Sequence, residues 1–420
     1  MHPSKTSQRP LLPFVFATCL TLLFLALHKL PRYKLRVFKA RPPRIYVYDL
    51  PPEYNAEPLS IVRPLRLQAG DLSPAHAGGL GPVLVEPSLR NTNQFALEVI
   101  AHSRLLASPL RTKDPSQADL FYVPFYAGIE LIRCMPMPTP EARSNVSLGL
   151  WDYLARQPYW NGGGNHFMAL GRIESDFVLD GGAFGTSFLL HPAASQVTFF
   201  SIEPAIHRER VRHHTIAVPY PVHTHAFNNT LPAVDYEAKS TLVSSNWLSR
   251  TPLRQNLRAQ CEVQPSLCTH YEEADYSTFD NAKIAALNLQ SVFCLQPPGD
   301  SPTRSAFWDS ILLGCIPVVF HPYLAYPFAN RIPWNRTIVT ITPDQAPDVL
   351  AYLAAIPREQ VRDLQAQIEK RRWMWQYSST PEGDDEEDAF TVLLDEIADR
   401  WRAGRRSAWR GVGGRLASDS

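Results

Sequence analysis

SVFCLQPPGDSPTRSAFWDSILLGCIPVVFHP, residues 291–322, decides the fold. Its first five residues are an apolar run of strand length. The run breaks at the Pro/Gly turn of residues 296–300. Ser301 or Thr303 is suited to cap a helix, with Pro302 in its first turn. That helix is expected to run to Leu313 and to stop at Gly314, a usual residue just past a helix end. IPVVF then reads as a second buried strand. Strand, glycine loop, helix and strand make one βαβ unit, and its loop aims backbone N–H groups outward, where phosphate is attracted. Gly299, Asp300 and Ser301 form that loop. Arg304 is expected in the first helical turn, placed to fork onto a diphosphate. Asp309 lies further along, where a carboxylate accepts hydrogen bonds from a ribose. The loop has one glycine and no Gly-Lys-Ser/Thr, so it is neither a P-loop nor a dinucleotide fingerprint. By itself the unit says only that a nucleotide or nucleotide sugar fits here, and many such units bind nothing.

Working outward, short apolar runs alternate with helical patterns on both sides of this unit. RIYVYDL (44–50), residues 118–125, HFMAL (166–170), QVTFFSI (196–202) and TIAVPYP (215–221) read as strands. Residues 92–106 and the segment closing at 156 read as helices. A second series follows: STLVSSNW (240–247), a helix over 253–261, a short helix over 283–290, the unit above, TIVTIT (337–342), then helices over 346–354 and 357–375. Two α/β halves are the expectation, 44–230 and 231–380, with a final helix over 381–402. The acidic run 384–388 is expected to cap that helix against its dipole rather than to hold metal. Residues 403–420 are Gly/Arg/Ser-rich and are expected to be disordered.

The 420 residues exceed what one ordinary core accommodates, and a 45% apolar content packs two. A net charge of +1 gives no reason to invoke nucleic acid. The 38 prolines are spread through the chain and indicate a loop-rich protein. Residues 1–10 read as a short tail and 11–28, LLPFVFATCLTLLFLALH, as an uncharged signal anchor, with a cleaved signal peptide as the alternative. Residues 29–43 form a basic, proline-containing stem. Lys29, Arg32, Lys34 and Arg36 after the segment outnumber Lys5 and Arg9 before it. The charge rule alone therefore puts the rest of the chain in the cytosol. Three sequons, at Asn145, Asn228 and Asn335, argue for a lumen. Cysteine use agrees with an oxidising compartment: Cys261 with Cys268, or Cys294 with Cys315, could form disulfides. Neither spacing has the close Cys pairs of structural zinc sites.

The blocks FCLQPPGDS, Thr303-Arg304, Phe307-x-Asp309-Ser310 and GCIPVVFHP resemble the exostosin family, glycosyltransferase family 47, and within it the plant xyloglucan galactosyltransferases. TNQFALEVI (92–100), VPFYAG (123–128), NHFMALGR (165–172), AVPYPVHTH (217–225) and EEDAF (386–390) are similar to the same group. The resemblance implies a GT-B-like pair of Rossmann-like domains facing a cleft, behind an N-terminal transmembrane anchor. It implies an inverting transferase in the Golgi membrane, type II, with its catalytic part in the lumen. The donor is then a UDP-sugar, galactose first, and the acceptor a cell-wall polysaccharide such as xyloglucan. Another donor, a glycoprotein acceptor, or a non-catalytic sugar-binding or scaffolding role are the alternatives, and complexes with other glycosyltransferases are a further expectation. No metal requirement is carried over, so basic residues must meet the diphosphate. Arg250, Arg254 and Arg258, after the strand STLVSSNW, match a basic pattern of that group, though each alone could simply coat a helix. For the base, His166 follows a flexible glycine turn and has a near-neutral imidazole, while Asp176 follows Arg172 closely. The relatives carry a Trp before that Asp and an Arg after the Phe, where this chain has Ser175 and Val178.

Overall fold

Strands that are apolar at every position need cover on both faces, which parallel sheets flanked by helices provide. β13 (Ile316–Val319) is of this kind, with every residue buried, and β12 (Ser291–Gln296), on the other side of the glycine loop, carries an apolar run over 292–295 between polar ends. The computed structural model describes residues 41–62, 72–85, 89–178, 185–204, 214–222, 225–226, 234–274, 279–321, 325–378 and 387–413. The expected tail and anchor, residues 1–28, lie outside them, as does most of the stem. No helix among the described residues is long and apolar enough to cross a membrane.

The strands in chain order are β1 (Ile45–Val47), β2 (Val83–Val85), β3 (Leu89–Arg90), β4 (Arg111–Thr112), β5 (Leu120–Tyr122), β6 (His166–Leu170) and β7 (Thr198–Ser201). They continue with β8 (His214–Ala217), β9 (His225–Ala226), β10 (Thr241–Asn246), β11 (Cys268–Tyr271), β12, β13 and β14 (Val339–Thr340). The first sheet has the order β4-β1-β5-β6-β7-β8 and the second β11-β10-β12-β13-β14. Every pairing in both is parallel. A small antiparallel sheet, β2-β3-β9, stands beside them. The fold is α/β and GT-B-like, two parallel sheets in one chain. Both sheets belong to one compact unit from Pro42 onward, and one apolar cluster runs through them, from Ile45 and Phe200 to Phe293 and Trp375.

Each sheet reverses its winding once. β10 pairs with both β11 and β12, and β1 with both β4 and β5. Loops leave in opposite directions at such a point and open a crevice beyond the carboxyl ends of the strands.

Several expectations are corrected here. The helix after the glycine loop starts at Ser305, not in the 301–303 stretch, and runs Ser305–Leu312 with Arg304 at its N-cap. Ser301 and Thr303 do not cap it because their hydroxyls are engaged elsewhere. Gly314 does follow its end, at φ +69°. The C-terminal helix runs Ala389–Gly413 rather than ending at 402. The 403–420 reading gave weight to glycine and serine, but Ala403, Arg405, Arg406, Ala408 and Arg410 are good helix formers. Both cysteine pairs that the sequence offered as disulfides are formed, Cys261 with Cys268 and Cys294 with Cys315.

Candidate active site

Because both main sheets are parallel, their carboxyl ends carry the loops that can meet a ligand. Gln296 and Val319, the last residues of β12 and β13, are register partners. Both line a shallow pocket that is open in part to solvent. Thr303, Arg304, Phe307 and Trp308 line it from the signature, Tyr326 and Pro327 from the loop after β13, and Ile202 from the end of β7 in the first sheet. One wall therefore comes from the first half and the rest from the second. The wall is largely aromatic and aliphatic, with Arg304, Gln296 and Thr303 as its polar groups.

Arg304 is held at the winding reversal of the second sheet. Its Nη2 donates to the carbonyl of Asn246, the last residue of β10, at 2.9 Å, and its Nη1 to Oε1 of Gln296 at 3.4 Å. The guanidinium thus lies across the ends of the two strands where the crevice opens. Arg254, 2% exposed, braces the loop from below: Nε donates to Pro298 O at 3.1 Å and Nη1 to Leu248 O at 3.2 Å. A Cβ at Gly299 would stand 3.1 Å from Arg254 Nη2, so a larger residue there requires Arg254 to shift by a few tenths of an ångström. Asp300 is exposed at the loop tip, and Asp309 is buried on the following helix at 2%.

From the first sheet, the loop after β6 brings Arg172 and Asp176. Arg172 Nε meets Asp176 Oδ2 at 2.8 Å, and the guanidinium lies over the Phe95 ring at 4.7 Å. Burial raises the pKa of Asp176 against the pull of Arg172, and the nearby charge of Asp300 adds to the rise. Two residues past β7, Glu203 reaches the signature loop. Its Oε2 accepts from Ser301 Oγ at 2.8 Å, from Thr303 N at 2.8 Å and, in a very short contact, from Thr303 Oγ1. Burial raises its pKa, the Thr303 and Ser301 hydrogen bonds oppose this, and Asp176 adds to it. Past β8, the Tyr220 hydroxyl stands 3.2 Å from Thr303 Oγ1. The two carboxylates, the tyrosine and the glycine loop thus come together between the carboxyl ends of the two sheets.

A family model, the exostosin GT47 domain, matches residues 39–356. A curated relative, the probable xyloglucan galactosyltransferase GT15 of Arabidopsis thaliana, is 31% identical over 87% of this chain and 84% of its own length. The chain belongs to the exostosin GT47 family. It is a glycosyltransferase. Two further Arabidopsis thaliana relatives are the xyloglucan-specific galacturonosyltransferase 1, 31% identical over 67% of this chain, and the xyloglucan galactosyltransferase MUR3, 29% identical over 78%. This chain covers 44% and 54% of those two proteins. Among solved structures, TarM is similar at a TM-score of 0.34 and 7% identity, over 65% of this chain and 58% of that one. The GtfA/B complex is similar at 0.33 and 10%, over 61% of each. Both likenesses are too distant to say anything about donor or acceptor.

Within this GT47 domain the expected site residues divide. Arg254, Gly299, Asp300, Ser301 and Arg304 gather on and around the signature loop, whereas Asp309, expected to meet a ribose, is buried within the following helix and is not in the pocket lining. Asp176 stands at the facing edge. Arg258 is turned to other work: it pairs with Glu262 at 2.7 Å and Glu272 at 2.8 Å on the exposed side of its helix. Arg250 is exposed just past β10.

His166 does not fit the expected role of base. It opens β6, so it lies at the amino end of a parallel strand, about 13 Å from the edge that carries Arg172. It is 1% exposed, stacked on Phe121 at 4.9 Å and edge-on to Trp160, with Nε2 2.9 Å from the Tyr48 hydroxyl. Burial depresses its pKa to about 3. The imidazole is a neutral core ring with no path to an acceptor.

Tyr220, on the strand exit AVPYPVHTH, was readable as lining the cleft or simply packing there, whereas Glu203 reaches the signature loop without having been singled out from sequence. The readable signal for Glu203 is FFSIEP: an apolar strand of a parallel sheet that ends in a lone acid before proline. Asn145 and Asn335 are exposed, and Asn228 lies outside the described residues. No group of three or more His, Cys, Asp or Glu side chains among the described residues is arranged to hold a metal ion.

Proposed function

We propose that the chain transfers a sugar from a UDP-sugar to a xyloglucan side chain or a related cell-wall polysaccharide, in the Golgi lumen, with inversion. Galactose is the donor sugar of this reading. The observation that carries it is Arg304 laid across the ends of β10 and β12, in the wall of a largely apolar pocket. A fixed guanidinium suits the oxygens of a diphosphate leaving group, and the apolar walls suit a nucleoside. The relatives' names support the acceptor class.

In this reaction an acceptor hydroxyl attacks the anomeric carbon of the donor. The bond from that carbon to the diphosphate oxygen breaks, UDP leaves with the electron pair, and the hydroxyl proton passes to a base. Arg304 stabilises the charge that develops on the leaving diphosphate. Asp176 is the candidate base, a carboxylate at the facing sheet edge whose raised pKa suits proton acceptance. Arg172 holds it in orientation. With His166 in the core, this role rests on the carboxylates.

A galacturonic acid donor is the second reading. It is supported by a galacturonosyltransferase relative as similar in identity, 31%, as the galactosyltransferase. Purified protein incubated with xyloglucan oligosaccharides and, separately, UDP-galactose and UDP-galacturonic acid distinguishes the two by product mass. Transfer from neither, together with no measurable UDP binding, overturns both. Endoglycosidase digestion of the cellular protein tests the luminal placement, since a cytosolic domain carries no N-glycans.

A further inference from the structure

We infer that Glu203 is a positioning residue for the donor loop, through which the acceptor-side sheet sets the place of Thr303 and Arg304. The inference rests on the reading of this cleft as a UDP-sugar site. Glu203 is 7% exposed, and no Arg, Lys or His pairs with it among the described residues. A buried carboxylate without a cation is costly unless its hydrogen bonds are satisfied. Those bonds all come from one place, the stretch 301–303, a hundred residues further along the chain.

The carboxylate is itself fixed from behind. Its backbone carbonyl accepts from Glu174 N at 3.0 Å, and its amide donates to Ser201 Oγ at 3.3 Å. Its neighbour Ile202 is a wall of the pocket, so one turn of chain supplies both the wall and the hold on the loop opposite. The loop has no regular secondary structure of its own. Within itself it has the Gly299 N to Ser301 O bond at 2.9 Å and a long Ser301 Oγ to Thr303 O bond at 3.3 Å. Thr303 is joined directly to Arg304, whose guanidinium sits at the strand ends. Releasing Thr303 therefore lets the phosphate-facing arginine drift, and misplacement on the scale of an ångström is costly at a transfer site. Tyr220 touches the same hydroxyl but donates or accepts only one bond, so Glu203 carries most of the hold.

The test uses the full chain and UDP alone as the probe, with affinity measured by calorimetry and folding checked by thermal melting. Glu203→Ala is expected to weaken UDP binding by about tenfold or more at temperatures well below its melting transition. Glu203→Gln, which keeps an acceptor oxygen, is expected to recover part of that loss. Thr303→Val is expected to mimic Glu203→Ala, and the double variant to be little worse than either, because both remove one shared contact. In turnover assays the donor KM is expected to rise more than kcat falls. Wild-type UDP affinity in Glu203→Ala, or losses that simply add in the double variant, would overturn the positioning role and leave the donor-site reading standing. Failure of the wild-type chain to bind UDP would overturn both.

Discussion

Single residues at the cleft edge make claims that one substitution can check. Two of the acceptors that hold Arg304 are a backbone carbonyl and an amide oxygen. A charge-assisted bond to a diphosphate is worth about 1.5–3 kcal/mol. Arg304→Ala is therefore expected to weaken UDP binding by roughly tenfold to a hundredfold, with the melting temperature little changed. Unchanged UDP affinity by calorimetry would place the diphosphate elsewhere. His166 makes the opposite claim. Its ring is packed between Phe121 and Trp160, and its one described hydrogen bond goes to Tyr48. His166→Phe is expected to keep kcat within about twofold and to cost about 1–3 kcal/mol of stability, from the Tyr48 hydroxyl left without its partner. A variant that melts normally but no longer transfers sugar would return His166 to the chemistry.

At the scale of elements, Glu98 shows how the site-bearing loop after β6 is held. It lies in the helix Leu97–Leu106, is fully buried, and accepts from Gly128 N at 2.7 Å, Gly171 N at 3.0 Å and Ile129 N at 3.3 Å. One carboxylate thus satisfies the start of the helix Ala127–Cys134 and the residue before Arg172. Burial raises its pKa to about 7 from an ordinary 4.5, against those three bonds and the charge of Arg172. Between those two values the folded protein holds the proton that the unfolded chain has lost. Stability from this group is therefore full below about pH 4.5 and declines as pH rises toward 7, on the order of 3 kcal/mol in all. His166 and His102 pull the other way, because burial lowers their pKa values to about 3 and 4 and acid favours their unfolded, protonated forms. The informative quantity is the difference between variants. Glu98→Gln keeps the Oε1 acceptor for Gly128 and Gly171, and its melting temperature relative to wild type is expected to rise from pH 5 to pH 7.5. A constant difference would mean that Glu98 does not titrate in this range. This level also shows what the sequence displayed. The strands β6, β12 and β13 were legible because burial on both faces leaves unbroken apolar runs. β4, at two residues, and β11, which reads CTHY, carry no such pattern. Alternation located His166 at a strand start, but only the parallel sheet says that strand starts face away from the cleft. For Glu203 the sequence offers the strand-end position but not the contact: its partners follow it by about a hundred residues, and no local periodicity records a contact of that span.

Across the whole molecule, the chain finishes in the second half and then turns back onto the first. Tyr377 donates to Pro219 O at 2.8 Å, just past β8, and Arg400 Nη2 reaches Thr215 O at 3.3 Å within it. The tightest part of this return is Asp388. It is fully buried, accepts from Ser378 N and Thr391 N at 2.8 Å each, and meets Arg104 Nη2 at 3.3 Å. Arg104 belongs to the helix Leu97–Leu106 of the first half and also lies over Phe390, 5.5 Å from its centroid. The expected acidic cap is thus real at Asp388, and its work extends beyond the helix dipole to a clasp between the halves. Removing one side of a buried ion pair leaves the other charge without compensation and costs about 3–5 kcal/mol. Asp388→Ala is expected at the upper end of that range, because two backbone N–H groups lose their acceptor as well. Arg104→Met, which keeps apolar packing against Phe390, is expected to cost less, and the double variant less than the sum of the two. Urea denaturation measures all three. The clasp is remote from Arg304 and the glycine loop, so kcat well below the melting temperature is expected to stay near wild type. A loss below about 1 kcal/mol in Asp388→Ala, the level of an exposed pair, would show that the halves are held by their shared apolar core alone.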